Sequence, residues 1–227
     1  MKQIFSIFVF LFLAIAVVAQ SRIVDGKLVA YFIFPVQNIE VMAKEAKSII
    51  KSDSLGQFSI LCYPHDFIKI KAKGFHAVTR QVEPATDSVF INLVFANSKK
   101  NREIVIANGN ISENDLLHAV GHLDHVNNDF GSYTDIFKLI KDQFSSELVV
   151  SGNKIYVKRQ QIDYSEEEYE TLGFPQVKCR VDGSVTNDID FIKPCNIKSI
   201  CLNNSTNLKS DWSSKEIVIL TRNSDYQ

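Results

Sequence analysis

The sequence predicts an α+β fold: a mostly antiparallel sheet with an αα-hairpin and one further amphipathic helix. Runs rich in β-branched and aromatic residues, bounded by turn residues, recur from the N-terminal region to the end of the chain. Two Ser-x-x-Asp helix starts fall close together in the middle. Strands and helices are thus grouped rather than alternating, which is typical of the α+β class.

In the first half, "IVDGKLVAYFIF" (23–34) predicts a strand buried on both faces that ends at Pro35. The next segment, 36–51, spaces its apolar residues as an amphipathic helix does. Further strands are expected at 57–63, 66–80 and 88–107. The last of these segments predicts a hairpin, in which the loop "NSKKN" joins a strand at 88–96 to one at 102–107.

In the second half, Ser112 with Asp115 and Ser132 with Asp135 predict the starts of the two helices of the αα-hairpin. A β-hairpin is expected at 147–159 and a short helix at 165–173. Two strands are expected at 176–181 and 216–221, with a polar loop at 203–214. We expect a single domain over 20–227, with 174–227 as a candidate cysteine-containing subdomain.

The first nineteen residues have the pattern of an export signal. Lys2 precedes an apolar run, and Val17 and Ala19 are the small residues that a signal peptidase requires. The alternative is a retained signal anchor, but the run is short for a bilayer and polar residues follow it at once. We therefore predict cleavage and a product that is secreted or resides in the lumen of the secretory or endolysosomal pathway, with no membrane attachment afterwards.

Removing residues 1–19 leaves 227 − 19 = 208 residues with 25 − 1 = 24 basic and 26 acidic side chains, a formal charge of −2. Nucleic-acid-binding domains usually carry a basic excess, so this balance argues against nucleic acid as a partner. We expect an extracellular or lumenal protein or glycan instead.

Four cysteines suit an oxidising compartment: Cys62, Cys179, Cys195 and Cys201. An even number predicts two disulfides, although the sequence does not choose among the three pairings. The short separation of Cys195 and Cys201 favours a small loop, which would leave Cys62 to pair with Cys179. Sequons at Asn110, Asn203 and Asn204 are candidate glycosylation sites, the last two being too close for both to be used.

Three of the five histidines fall within "LLHAVGHLDHVNND" (116–129). On a helix, His118, His122 and His125 form one stripe opposite the apolar face. Histidines at i and i+4 can share a zinc or copper ion, and Asp129 could add an oxygen ligand. The alternatives are a plain solvent-exposed helix face and a pH-responsive stripe in which protonated imidazoles repel one another.

His118 and His122 resemble the paired helical histidines of the metzincin zinc proteases, whose signature is HExxHxxGxxH. The resemblance covers about nine residues. Ala119 stands where those enzymes have their catalytic glutamate, so nothing at this position would activate a metal-bound water. We therefore exclude a protease of this type.

The segment "IKIKAK" (68–73) alternates, which would place Lys69, Lys71 and Lys73 on one strand face as a candidate anion-binding ladder, with Arg80 nearby. The simpler interpretation is the solvated face of an edge strand. No complete catalytic motif is present, such as GxSxG, a P-loop, GxGxxG or HExxH. The sequence thus favours a secreted, disulfide-linked glycoprotein that binds without catalysis, with a metal-binding protein as the alternative.

Overall fold

The computed structural model describes residues 21–159, 164–204 and 215–222. The chain divides into two compact units, Met1–Asn127 and Asn128–Gln227. The predicted candidate subdomain, 174–227, lies within the second unit. The predicted signal segment, 1–19, and most of the predicted polar loop lie outside the described residues. Within the described ranges, no helix is both long enough and apolar enough to cross a membrane.

The first unit contains eight described strands and two described α-helices. The strands are β1 (Arg22–Ala30), β2 (Phe34–Pro35), β3 (Glu40–Ala43), β4 (Ser48–Lys51), β5 (Gln57–Cys62), β6 (Phe67–Ile70), β7 (Val78–Gln81) and β8 (Ser88–Asn92). The helices are α1 (Lys99–Ala107) and α2 (Glu113–His122).

These strands form two four-stranded sheets. In the first sheet β1 is central: it pairs antiparallel with β2 and β5, and parallel with β8. The second sheet has the order β4-β3-β6-β7 and is antiparallel throughout. Alternate residues of both sheets point into one shared core, which includes Val24, Leu28 and Ile60 from the first and Val41, Ile68 and Ile70 from the second. The predicted antiparallel character is confirmed, with β8 as the exception in this unit.

Segment 36–51 is a β-hairpin, so the predicted helix is wrong. Val41 and Ala43 of β3 are fully buried, whereas Glu40 is exposed, which is the alternation of a half-buried strand. The turn between the strands passes through Lys47, whose φ of 52° lies in the left-handed region. The apolar spacing suited both a helix and two short strands, and tertiary contacts selected the strands.

Those contacts centre on the carboxylate of Asp66, which is fully buried. It accepts hydrogen bonds from the backbone N–H groups of Glu45 (2.8 Å) and Ala46 (3.0 Å) in the β3–β4 turn. It also accepts bonds from Tyr63 (3.3 Å) and Phe67 (2.7 Å) around its own turn. Burial raises the pKa of Asp66, but these four donors outweigh it and hold the pKa below its usual value. One charged side chain thus fastens the turn of the β3–β4 hairpin to the turn between β5 and β6, which connects the two sheets.

Residues 102–107 form the second half of helix α1, so the predicted strand is also wrong. Ser98 caps the helix by accepting a hydrogen bond from the backbone N–H of Asn101 at 3.2 Å. The β-branched run that suggested a strand supplies the buried face of the helix at Val105. The cap lies within the "NSKKN" segment that the sequence had assigned to a loop.

Strand β1 ends in a strained turn. Tyr31 and Phe32 both have left-handed backbone conformations, with φ of 53° and 62°, which is unusual for two bulky residues in succession. The Asn92 side chain stabilises the turn by accepting the Phe32 backbone N–H at 2.8 Å. Tyr31 is fully buried, and its hydroxyl has no hydrogen-bond partner among the described residues. Burial, with the negative charge of Asp124, raises the pKa of Tyr31 to about 12.

The second unit contains a β-hairpin, a four-stranded sheet and two described α-helices. Their bounds are α3 (Ile136–Gln143), β9 (Leu148–Ser151), β10 (Lys154–Val157), α4 (Glu166–Thr171), β11 (Lys178–Val181), β12 (Ser184–Thr186), β13 (Ile197–Asn204) and β14 (Lys215–Thr221). The predicted hairpin, short helix and two strands are confirmed at β9–β10, α4, β11 and β14. The sheet order is β12-β11-β14-β13, with β11 and β14 parallel. Its core joins α3, the hairpin and the sheet through isoleucines such as Ile140, Ile155 and Ile217.

The predicted αα-hairpin is not formed as expected, because α2 and α3 belong to different units. Helix α2 begins after Ser112, whose hydroxyl accepts the Asp115 backbone N–H as predicted. Helix α3 is capped by Asp135 rather than Ser132: the Asp135 carboxylate accepts the Lys138 backbone N–H at 2.8 Å. The polar segment between the helices contains a 3₁₀ turn at Asp124–Val126 and the boundary between the units.

Candidate functional site

The histidine stripe is shorter than the sequence suggested. His118 and His122 lie on the exposed side of α2 with ring centroids 5.0 Å apart, while Leu116 and Ala119 are fully buried on the opposite side. The helix ends at His122, so His125 lies on the following 3₁₀ turn instead. Of the three histidines predicted to share one helix face, only His118 and His122 do so.

The four predicted metal ligands are divided between the two units. Asp129 belongs to the second unit, where its carboxylate accepts the Gly131 backbone N–H at 3.1 Å. No group of three or more His, Cys, Asp or Glu side chains within the described ranges is arranged to hold a metal ion. The physical reason is the end of α2 at Leu123, which breaks the helical spacing on which the predicted stripe depended.

The lysine ladder is likewise divided. Strand β6 ends at Ile70, so Lys69 alone lies within it, while Lys71 and Lys73 follow in the turn towards β7. Arg80 lies on β7 and donates from its guanidinium to the Thr79 carbonyl at 3.1 Å. The four side chains do not share one strand face.

The predicted disulfides are absent, since all four cysteines are free thiols in the structure. Cys62 is fully buried in the core of the first unit and Cys179 is 2% exposed in the core of the second. Each is packed among apolar side chains of its own unit, and burial raises the pKa of each thiol to about 11. Cys195 and Cys201 are exposed.

Two of the three sequons can be placed. Asn110 is 3% exposed, and its side-chain amide donates to the Gln37 carbonyl at 2.8 Å. That amide nitrogen is the atom to which a glycan would be attached, and in the folded first unit it is buried and hydrogen-bonded. Asn203 is exposed on β13, next to Asn204 at the end of the strand.

The structure shows an open pocket that the sequence did not predict. It lies in the second unit, where the N-terminus of α3 meets the segment before β13, and has a volume of about 310 Å³. Buried Ile192 and Pro194 and half-buried Tyr133 supply apolar surface. The polar groups in its lining come from Thr134, Asp135, Asp190, Lys193 and Cys195. This volume is within the range of small-molecule sites in proteins.

Both carboxylates of the pocket are held by the second unit's own polar groups. Asp135 caps α3, and the Lys138 backbone N–H holds the pKa of Asp135 below its usual value. Asp190 accepts a hydrogen bond from the side-chain amide of Asn153 at 2.6 Å. Asp135 is therefore ionised at neutral pH, and both side chains are fixed in position.

Cys195 contributes an exposed thiol to the same pocket. Its sulfur lies 3.7 Å from the side-chain oxygen of Asn196, which also accepts a hydrogen bond from the Arg222 guanidinium. Burial lowers the pKa of Arg222, and the proximity of Cys195 opposes this. All five histidines of the chain precede residue 128, so the second unit contains no imidazole to act as a base for the thiol.

No histidine is among the described residues that line the pocket. The Asp135 carboxylate has a lowered pKa, which is the opposite of the shift required of a general acid at neutral pH. The lining contains two carboxylates, of Asp135 and Asp190, and one ammonium group, of Lys193, so its formal net charge is negative. Sequence reasoning missed the site because "DFIKPC" (190–195) has no recognisable motif. No local sequence pattern indicates that this segment would meet the N-terminus of α3.

No protein-family model matches the chain, and the search of curated proteins finds no match.

Proposed function

We propose that the chain is exported, is glycosylated at the sequon of β13, and acts as a non-catalytic binding module whose ligand site is the pocket of the second unit. The observation that carries the proposal is the pocket lining, which combines two hydrogen-bonded carboxylates with apolar side chains and includes no histidine among the described residues. The N-terminal apolar run of the sequence supports export. The exposure of Asn203 supports a glycan at β13.

The lining also indicates the chemistry of the ligand. Asp135 and Asp190 favour a cationic group, while Tyr133, Ile192 and Pro194 favour an aliphatic or aromatic portion beside it. An arginine or lysine side chain of an extracellular or lumenal protein combines both features. Phe191, 70% exposed and adjacent in sequence to the pocket residues, would extend the apolar contact.

The test uses N-acetyl-arginine amide as the probe and its uncharged citrulline analogue as the control ligand. Titration calorimetry should show saturable binding of the arginine compound and weaker binding of the citrulline one. Asp190→Asn should weaken binding, while Asp142→Asn, an exposed aspartate elsewhere in the second unit, should not. Equal binding of the two ligands, or equal loss in the two variants, would contradict the site. Saturable turnover abolished by one point mutation would contradict the absence of catalysis.

Export is tested separately by the mass of the protein recovered from the medium of a secreting host. A chain beginning at Gln20 supports cleavage after Ala19. A full-length chain that remains with the membrane fraction would instead support the signal-anchor alternative.

The histidine pair supports a second candidate function, metal binding. With ring centroids 5.0 Å apart on adjacent turns, His118 and His122 can ligate one zinc or copper ion together. Elemental analysis of the untagged protein beside His122→Ala tests this directly. One equivalent of metal in the wild type alone supports the candidate, and no metal in either, with no binding on titration, removes it.

A further inference from the structure

The structure brings together two groups of lysines that are far apart in the sequence. Lys71 and Lys73 lie after β6, while Lys99 and Lys100 form the first two positions of α1. All four are exposed, and no ion pair of the described residues involves any of them. We call these four side chains the lysine surface.

Backbone contacts fix the two groups beside each other. The Ala96 backbone N–H donates to the Gly74 carbonyl at 2.9 Å, and Phe75 bridges to Phe95. Gly74 has a φ of 91°, and a Cβ atom there would lie 2.4 Å from the Val105 side chain and 3.4 Å from the Asn101 carbonyl. The turn that carries Lys73 is thus packed directly against the first turns of α1.

The charges at this end of α1 run against the helix dipole. The N-terminus of a helix carries partial positive charge and favours acidic residues, but the first turn of α1 contains none and has two lysines instead. The only acid of the helix, Glu103, lies one turn further along. A bound anion would relieve this unfavourable arrangement, because it would contact both the lysines and the positive end of the helix.

We propose that the lysine surface binds a sulfated glycan. The four ammonium groups are spread over two segments of the chain. This arrangement matches a polymer with repeated anionic groups better than it matches a single small anion. Nucleic-acid sites that bind single strands also use exposed aromatic side chains for base stacking. Here Phe75 and Phe95 pack on each other with centroids 5.9 Å apart and are at most 8% exposed. The surface therefore offers charge without a stacking platform, which suits sulfate groups.

This inference goes beyond the proposed function, because it concerns the first unit and does not involve the pocket. The experiment measures binding of the full mature chain to heparin, with unsulfated heparosan and a single-stranded DNA of equal length as comparison ligands. Two variants remove the same amount of charge from the first unit. One replaces Lys71, Lys73, Lys99 and Lys100 with Gln, and the matched control replaces four other exposed lysines, Lys27, Lys44, Lys47 and Lys51.

We expect heparin to bind, heparosan not to bind, and the affinity to fall steeply as salt is raised. An exposed charge contact contributes a factor of roughly 1.5 to 5, so losing four should weaken binding at least about fivefold. The control variant should stay within about twofold of the wild type. Equal weakening of heparin binding in both variants would show that only the net charge of the protein matters, which would overturn the proposed site. DNA binding as tight as heparin binding would overturn the choice of a sulfated glycan.

Circular dichroism should show that both variants are folded, since all eight lysines are exposed. The double variant Lys73→Gln/Lys100→Gln, with Lys47→Gln/Lys51→Gln as its control, repeats the comparison with less change in charge. It should show about half of the loss on a logarithmic scale. No difference between these two doubles would also contradict the proposal.

Discussion

Replacement of Asp66 by Asn should strongly destabilise the first unit. The carboxylate accepts four backbone N–H groups, two on each oxygen, and is fully buried. An amide keeps one accepting oxygen and turns an NH₂ group towards the other two donors. Two charge-assisted hydrogen bonds are then lost and two N–H groups are left without an acceptor, which predicts a cost of about 3–5 kcal/mol. A cost of this size is a large part of the total stability of a typical domain.

The pH dependence of Asp66 has a definite sign. Its folded-state pKa is lowered, so the stability it contributes is present above the unfolded pKa of about 4 and is lost as the pH falls through the lower, folded value. Wild-type stability should therefore decline in acid more steeply than that of Asp66→Asn. Urea unfolding followed by circular dichroism between about pH 3 and pH 7 measures both effects.

Asp53→Asn provides a matched control for this experiment. One oxygen of Asp53 accepts the backbone N–H groups of Leu55 (2.9 Å) and Gln57 (2.7 Å), but the residue is exposed. An asparagine keeps that oxygen, and water can solvate the rest, so the loss should be below about 1 kcal/mol. If Asp66→Asn were no more destabilising than this control, the assignment of Asp66 as the link between the β3–β4 turn and the β5–β6 turn would be refuted.

Three further predictions concern cysteines, a glycine and a buried hydroxyl. In the reduced native protein, a thiol reagent should modify Cys195 and Cys201 quickly and the two buried cysteines only after unfolding, as counted by mass spectrometry; rapid modification of all four would contradict the burial. Gly56→Ala should destabilise the chain by about 1–3 kcal/mol, because Gly56 has a φ of +72° and its new Cβ would lie 2.2 Å from a backbone oxygen. Gly152→Ala should cost less in the same denaturation assay, because its new Cβ would meet no atom within 4 Å. Tyr31→Phe should leave stability within about 1 kcal/mol of wild type or raise it, since the hydroxyl removed has no hydrogen-bond partner in the part of the chain that the structure describes. A larger loss on thermal unfolding would show that the hydroxyl does form a bond.

The structure shows where local sequence patterns are sufficient. Strand β5, the β9–β10 hairpin and helix α4 are each specified by nearby residues: alternation in the first, Gly152 at the turn in the second, and the Ser165–Glu168 capping box in the third. These elements match the predictions because their signals and their contacts lie within a few positions of each other.

The wrong secondary-structure predictions concern segments whose conformation depends on contacts with residues distant in sequence. Segment 36–51 became a hairpin because Asp66, some twenty residues away, binds the turn at Glu45 and Ala46. The β-branched run after Arg102 became helical because Val105 packs against Gly74. No local pattern contains these contacts, so propensity alone gave the wrong element.

The candidate sites show the same limit. The pairing of His118 with His122 follows from helical geometry, but the end of α2 at Leu123 removed His125 from the stripe. The pocket and the lysine surface each join segments more than twenty residues apart, for example Lys73 with Lys100. Their composition was visible in the sequence, whereas their proximity was not.

The central position of β1 has a consequence for the order in which the first unit can assemble during synthesis. Asp25 of β1 pairs with Ser88 of β8, a separation of 88 − 25 = 63 residues. Ribosomes release the chain from its N-terminus, so the first described strand of the unit to emerge is the one that needs three partners. Its last partner follows several seconds later at typical elongation rates. Until then one side of an apolar strand is open to pairing with other chains. Holding this strand apart during synthesis is therefore a requirement that the topology itself imposes on the cell.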